Sequence, residues 1–257
     1  MKVLDKLKLP ELRDGMSRDD AALTLLHSKI IRRKEFLRRI YLDFYAELAD
    51  SIAYSDSKTV LELGSGGGFL KEVLPGVITS DVLNVPTVDK VFSACAMPFE
   101  DASLDAIVMV DVLHHIPDVR AFFHEAVRCL KAGGRIAMIE PANTCWGRFI
   151  YTHFHHETFD PKAAWAFQSI GPLTTANGAL PWILFHRDRR QFEAEFPQLG
   201  LVRTRCHTPL RYLVSGGLTL RQLLPDRAYP VIKGVEFLLL PLNRIIGMFE
   251  TILLEKS

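Results

Sequence analysis

Three groups of residues in this 257-residue chain have types and spacings that could do chemistry. The first is Glu62-Leu63-Gly64-Ser65-Gly66-Gly67-Gly68, at the end of the β-rich run Thr59 to Leu63. Glycines after a strand let backbone approach a ligand closely, and the next helix offers free N–H groups. Gly64, Ser65, Gly66 and Gly68 are therefore candidate ligand contacts. Glu62 stands where a plain buried strand would carry an apolar side chain, and a carboxylate there can act on a bound cation through water or backbone. The second group is Asp81 with Val82 beside it, 17 residues after Gly64 at the end of a short run from Val77. An acid at that point can accept hydrogen bonds from both hydroxyls of a ribose. An aspartate that simply opens a turn is the structural alternative. A dinucleotide site would also begin with a glycine turn, but Phe69 occupies the place of that fingerprint's third Gly or Ala.

The third group is histidine-rich: His114 and His115 after the apolar run Leu104 to Val110, and His153-Phe154-His155-His156-Glu157 with Asp160. A neutral imidazole suits proton transfer near pH 7, so His115 and His156 are the candidate bases. On a helix, His153 and Glu157 would share one face, and His156 and Asp160 another. Imidazole and carboxylate also ligate zinc or iron. The HExxH signature is absent, however, and the pattern predicts no metal site. The four cysteines, Cys95, Cys129, Cys145 and Cys206, have no CxxC or CxH spacing, which excludes a disulfide scaffold and a zinc ribbon.

The elements that must position these groups follow from periodicity. Helical spacing runs from Ser17 to Ile52, enough for one or two amphipathic helices. Short strands at 59–63, 77–81 and weakly 90–92, an almost wholly apolar strand at 104–110 and another buried strand at 135–140 alternate with helices such as 119–130, which Gly133-Gly134 would stop. This pattern predicts an α/β fold with a doubly wound, mostly parallel, seven-stranded Rossmann-like sheet. Residues 141–199 are irregular and aromatic-rich, too long for a connection, so a helical cap is expected. A strand at 201–206, a mostly helical 218–246 and a terminal strand at 248–254 complete the chain. One domain is expected: a helical extension (1–57), a cofactor-binding core (58–141), a cap insertion (142–200) and C-terminal strands with a helical insertion (201–257).

Charge narrows the function classes. Lys+Arg 31 against Asp+Glu 30 argues against a protein that coats nucleic acid. An acidic middle lies between basic arms, and Lys29, Arg32, Arg33, Lys34, Arg38 and Arg39 face only Glu35 locally, a run that fits either a solvated helix face or an anionic surface. The first ten residues lack the apolar region of a signal peptide, and the stretch Val231 to Leu242 is interrupted by Lys233, Glu236 and Pro241. A cytoplasmic protein with possible peripheral membrane contact is the expectation.

The order of the motifs carries a resemblance. The glycine loop, Asp81, Met97-Pro98-Phe99 with Ser103-Leu104-Asp105, Val112-Leu113-His114-His115-Ile116-Pro117-Asp118 and Leu130-Lys131-Ala132-Gly133-Gly134-Arg135 are similar to class I S-adenosylmethionine-dependent methyltransferases, in the group that includes the ubiquinone and menaquinone enzymes. The resemblance covers residues 58–141. It implies S-adenosyl-L-methionine as cofactor and S-adenosyl-L-homocysteine as product. It also implies that the glycine loop lies on the methionine part, Asp81 on the ribose, Ala94 and Cys95 beside the adenine, and Asp111 at the sulfonium side. Ser93 departs from the acid that the family commonly has there, which implies weaker or differently shared adenine recognition. The expected acceptor is a small molecule, lipid- or saccharide-linked, methylated on oxygen, and not a nucleic acid. A catalytically silent scaffold and a NAD(P)-dependent dehydrogenase are the alternatives.

Overall fold

The computed structural model describes residues 6–12, 17, 19–168, 171 and 174–257. After a 3₁₀ turn at Pro10–Leu12 come two longer helices, α1 (Ala21–Arg33) and α2 (Glu35–Ser51). Asp20 caps α1 by accepting from the Ala22 N–H at 2.8 Å. The chain breaks between the helices at Lys34, whose backbone is extended. Its buried ammonium donates to the carbonyls of Gly217 (2.6 Å) and Leu220 (2.9 Å).

Seven strands follow: β1 (Val60–Glu62), β2 (Ile78–Asp81), β3 (Lys90–Val91), β4 (Leu104–Val110), β5 (Leu130–Pro141), β6 (Leu199–His207) and β7 (Phe249–Lys256). They form one sheet in the order β3-β2-β1-β4-β5-β7-β6. The first five run parallel, and β7 lies antiparallel between β5 and β6. This is the expected doubly wound sheet. Chain order reverses between β1 and β4, and in open α/β sheets ligands collect outside the carboxyl ends of the strands at such a switch point.

Successive side chains of the buried strands serve opposite faces. Leu61, Ile107, Met109, Ile136, Met138, Ile252 and Leu254 pack on Phe122 and Phe123 of α3 (Val119–Cys129) and on Leu180 to Phe196 of the cap. Val60, Ala106, Val108, Ala137, Ile139 and Leu253 pack on Phe36, Leu37, Ile40, Phe44 and Leu48 of α2. Burial on both faces is why these strands read as apolar runs without alternation.

Three expectations shift. The Gly133-Gly134 pair does not end the helix, which stops at Cys129; it lies inside β5, where pairing with β4 jumps from Leu104↔Leu130 to Ala106↔Arg135. Gly133 takes a left-handed φ of 71° there, so the pair makes a bulge. The 218–246 stretch is helical only at Tyr229–Leu238 and Asn243–Ile246, with 3₁₀ turns at Asp226–Ala228 and Leu240–Leu242. Pro225, Pro230 and Pro241 each remove an N–H that a continuous helix would need. Finally, helix α4 (Cys145–Phe154) of the cap ends before His155, so the predicted helical pairings of His153 with Glu157 and of His156 with Asp160 do not form.

Candidate active site

The glycine loop leaves β1 at the switch point and is stitched to β2. Gly64 and Gly66 take left-handed φ values of 61° and 49°. Ser65 donates its N–H to the Ser80 carbonyl (2.8 Å) and its hydroxyl to Glu62 (2.6 Å). One Asp81 oxygen accepts from the Gly66 N–H at 2.9 Å, the other from the Leu83 N–H at 2.8 Å. A carboxylate has about four acceptor positions, so Asp81 retains capacity for a pair of ligand hydroxyls. Burial raises its pKa, against the pull of those N–H groups.

Helices α1 and α2 cover the loop. A Cβ on Gly67 would come 2.7 Å from the backbone N of Ser28, so only glycine lets α1 pass this close. The Tyr45 hydroxyl of α2 accepts from the Phe69 N–H at 3.0 Å. Enclosure pushes the Glu62 carboxyl up to about 7; the Ser65 hydroxyl lowers it and the Asp81 charge raises it. Val82 lies exposed beside Asp81, and Ala94 and Cys95 are half-buried. The Ser93 hydroxyl, at the position of the expected adenine acceptor, accepts instead from the Cys95 N–H at 3.2 Å.

Across the switch point, β4 is followed directly by Asp111, whose φ of 55° is rare for a residue with a side chain. Such strain costs about 1–3 kcal/mol and concentrates at functional sites. Burial pushes the Asp111 carboxyl up to about 7; His114 opposes this, while Glu140 and Glu157 add to it. Burial raises the pKa of Tyr41 of α2, Tyr151 of α4 and Tyr212, and the Asp111 charge adds to the rise in each.

His114 and His115 belong to a 3₁₀ turn, Leu113–His115. Glu140, fully buried at the end of β5, fixes that turn by accepting from the N–H groups of Val112 (2.9 Å) and Leu113 (2.7 Å). Its second oxygen meets His114 Nδ1 at 2.6 Å. The other side of His114 faces Glu157 from the cap, Nε2 to Oε2 3.4 Å. Burial opposes a charge on His114, but Glu140 and Glu157 outweigh it and hold its pKa well above the ordinary value. His115 is pushed down to about 3 by burial and by the His114 charge, against Glu157.

Three more imidazoles surround the same carboxylate at similar range. His115 Nε2 is 3.6 Å from Glu157, His156 Nε2 3.4 Å and His155 Nδ1 3.7 Å. His27 of α1 faces the group as well: burial, then His156, lowers it to about 4. The two sequence-chosen histidines thus converge, His115 inside and His156 at the rim. His153 turns away onto the Phe149 carbonyl, and Asp160 stays in its own loop, where it accepts from the Lys162 N–H.

Sequence reasoning passed over Glu140, His27 and the three tyrosines. Glu140 carried a readable signal, because it is the lone acid ending the apolar run Ile136 to Ile139, as Glu62 is in β1. The basic run on α1 and α2 is mostly spent within the protein. Arg32 pairs with Glu72, Arg33 with Glu11, Arg38 and Arg39 with Glu35, and Lys34 is buried on carbonyls.

A doubly wound sheet with a glycine loop after β1, an acid ending β2 and an acid at the end of β4 defines the class I methyltransferase type of fold. Residues 79–138 match the family model of the methyltransferase domain. The chain is 33% identical over 107 residues to an uncharacterized methyltransferase of Schizosaccharomyces pombe, a match spanning 36% of this chain and 42% of that one. It is 43% identical over 44 residues to a demethylmenaquinone methyltransferase of Tropheryma whipplei, 17% of this chain and 18% of that one. The matches thus span less than half the length of these curated relatives. Among solved structures, geranyl diphosphate C-methyltransferase from Streptomyces coelicolor shares the fold at TM-score 0.50 and 15% identity, over 96% of this chain and 89% of that one. A SAM-dependent methyltransferase from Archaeoglobus fulgidus does so at TM-score 0.50 and 16% identity, over 84% and 94%. Among the described residues no helix is long and apolar enough to cross a membrane.

Proposed function

We propose that the chain binds S-adenosyl-L-methionine along the carboxyl edge of the sheet and transfers its methyl group to an oxygen of a small, lipid-like acceptor. The observation that carries this reading is the glycine loop bonded directly to Asp81, with Asp111 and the histidine–glutamate group beside it at one switch point. Gly64, Ser65, Gly66 and Gly68 hold the methionine part, with Glu62 fixing the loop and favouring the cofactor's cationic groups. Asp81 takes the ribose hydroxyls, Val82, Ala94 and Cys95 flank the adenine, and Asp111 lies at the sulfonium. In the transfer, an acceptor oxygen attacks the methyl carbon as the carbon–sulfur bond breaks. The bonding pair stays on sulfur, giving S-adenosyl-L-homocysteine, and the acceptor proton passes to an imidazole of the Glu157 group, His115 or His156. The protein supplies alignment and the proton acceptor, because the sulfonium is already activated.

Two features support a lipid-like acceptor. One matched relative is named a demethylmenaquinone methyltransferase. In addition, Val231, Val235 and Leu238 recur at intervals of four and three residues along Tyr229–Leu238 and are exposed, as are Leu242 and Ile245 beyond it, with Arg227 and Arg244 in the same stretch. An apolar stripe with a basic rim suits an in-plane membrane contact. The test is transfer of labelled methyl from S-adenosyl-L-methionine to a panel of prenylated phenols, quinols and glycolipids in detergent. Labelled, extractable product from one class supports the reading. A cofactor-loaded protein that methylates none of them removes the lipid-like acceptor.

A further inference from the structure

We propose that His114, His115 and Glu157 form a binding site for one divalent transition-metal ion, zinc being the best fit, with Glu140 as the positioning residue behind His114. The three donor atoms lie within 4.8 Å of one another. His114 Nε2 and His115 Nε2 stand 3.4 and 3.6 Å from the two Glu157 oxygens. These separations are longer than the 2.7–3.2 Å of a good N–H···O bond. The His114 separation matches the edge of a tetrahedron around zinc, about 3.3–3.4 Å for metal–ligand bonds of about 2.0–2.1 Å, and the His115 separation, to the other oxygen, is slightly longer.

The donors are also prepared for such an ion. Glu140 meets Nδ1 of His114 at 2.6 Å, a short hydrogen bond that fixes the ring and presents Nε2 to Glu157. A carboxylate behind a ligating histidine is the recurring outer support of metal sites. Glu140 is itself held by two backbone N–H groups. The same cluster offers a second set, Asp111, His114 and Glu140. There the 2.6 Å contact leaves room for a proton and not for an ion between the donors. The distances therefore choose the set that includes Glu157.

Two imidazoles and one carboxylate suit zinc, iron(II) or cobalt(II) over magnesium, which prefers oxygen. The site is enclosed, with side-chain exposures of 2% for His114 and 15% for His115 and Glu157, and it opens toward the rim at His156, 42% exposed. Three protein ligands with a remaining position are the pattern of a catalytic zinc, and the class of ligand for that position is an acceptor hydroxyl or carboxylate oxygen. This use of the ion rests on the methyl-transfer reading and refines it: His115 becomes a ligand, and the acceptor proton passes to His156.

The test uses the full chain, treated with chelator, without cofactor or acceptor, so its outcome is independent of methyl transfer. Calorimetry with Zn²⁺ alone is expected to show one ion per chain, with little heat from Mg²⁺. Titration with Co²⁺ is expected to give the intense visible absorption of a low-coordinate ion, a readout that needs no variant. Glu157→Gln and His115→Ala should abolish tight zinc binding, and Glu140→Gln should weaken it about 10–100-fold. No zinc binding, six-coordinate Co²⁺ spectra, or unchanged affinity in Glu157→Gln and His115→Ala would each overturn the site. The cluster would then be an imidazolium held between Glu140 and Glu157.

Discussion

The two sides of the sheet's carboxyl edge are built from different material. On the β1–β2 side, the cradle is mainly backbone: left-handed Gly64 and Gly66, Ser65 tied to Ser80, and Asp81 receiving N–H groups within 15 residues of sequence. On the β4–β5 side, side chains do the work and come from far apart. Glu140 reaches back 26 residues to His114, and Glu157 arrives from the cap beyond α4. A backbone cradle fits the part of a ligand that never changes. A side-chain cluster built on an insertion is free to follow the acceptor. On the proposed reading, cofactor binding falls to one side and acceptor chemistry to the other, so the two properties should change independently.

The largest effect should come from the cluster. Replacing His156 with Ala, or His115 with Ala, should lower turnover on the true acceptor roughly 10²–10⁴-fold for whichever acts in the proton's path. Cofactor affinity should stay within a factor of a few, and a comparable loss of affinity would erase the division between the sides. The next effect belongs to Glu62. Its pKa is raised to about 7 by burial, so at lower pH the carboxyl is neutral and cannot attract a cationic cofactor. Affinity for S-adenosyl-L-methionine should rise with pH up to about 7, by at most about tenfold per unit, and Glu62→Gln should flatten that rise. The sign reverses for the fold. A carboxyl with a raised folded pKa contributes stability below its unfolded value near 4.5, and this is lost as pH rises through about 7. The ligand-free variant should accordingly lose less thermal stability over that window. The smallest effect concerns the exposed stripe: Leu238→Ser should change stability by less than about 0.5 kcal/mol. It should reduce sedimentation with anionic vesicles if the stripe meets lipid, and equal sedimentation of variant and wild type would remove that contact.

The same contrast explains what the sequence disclosed. The cradle was legible because its signals are local: glycines after a strand, an acid ending the next strand, and apolar runs buried on both faces. The sheet followed from the same runs, down to the strand ends at Asp81 and Asp111. The cluster was only half legible. His115 and His156 were visible as residue types, yet the carboxylate that joins them was assigned to a helix that ends at Phe154. No local pattern states that Glu157 turns back toward β4, because tertiary packing of the cap decides it. The partners of the basic run were hidden for the same reason, since Glu72 and Glu11, which pair with Arg32 and Arg33, are distant in sequence. Proline placement at 225, 230 and 241 was readable and should have broken the predicted helix.

The central claim is that the β1–β2 cradle holds an S-adenosyl cofactor through Asp81. It is tested most directly by calorimetric titration of the wild-type chain and Asp81→Ala with S-adenosyl-L-homocysteine, and of the wild type with NADH. The account predicts saturable binding of S-adenosyl-L-homocysteine, weakened by about 1–3 kcal/mol in Asp81→Ala, the cost of leaving a strong hydrogen-bond pair unmade. Binding of NADH with no response to S-adenosyl-L-homocysteine would contradict it.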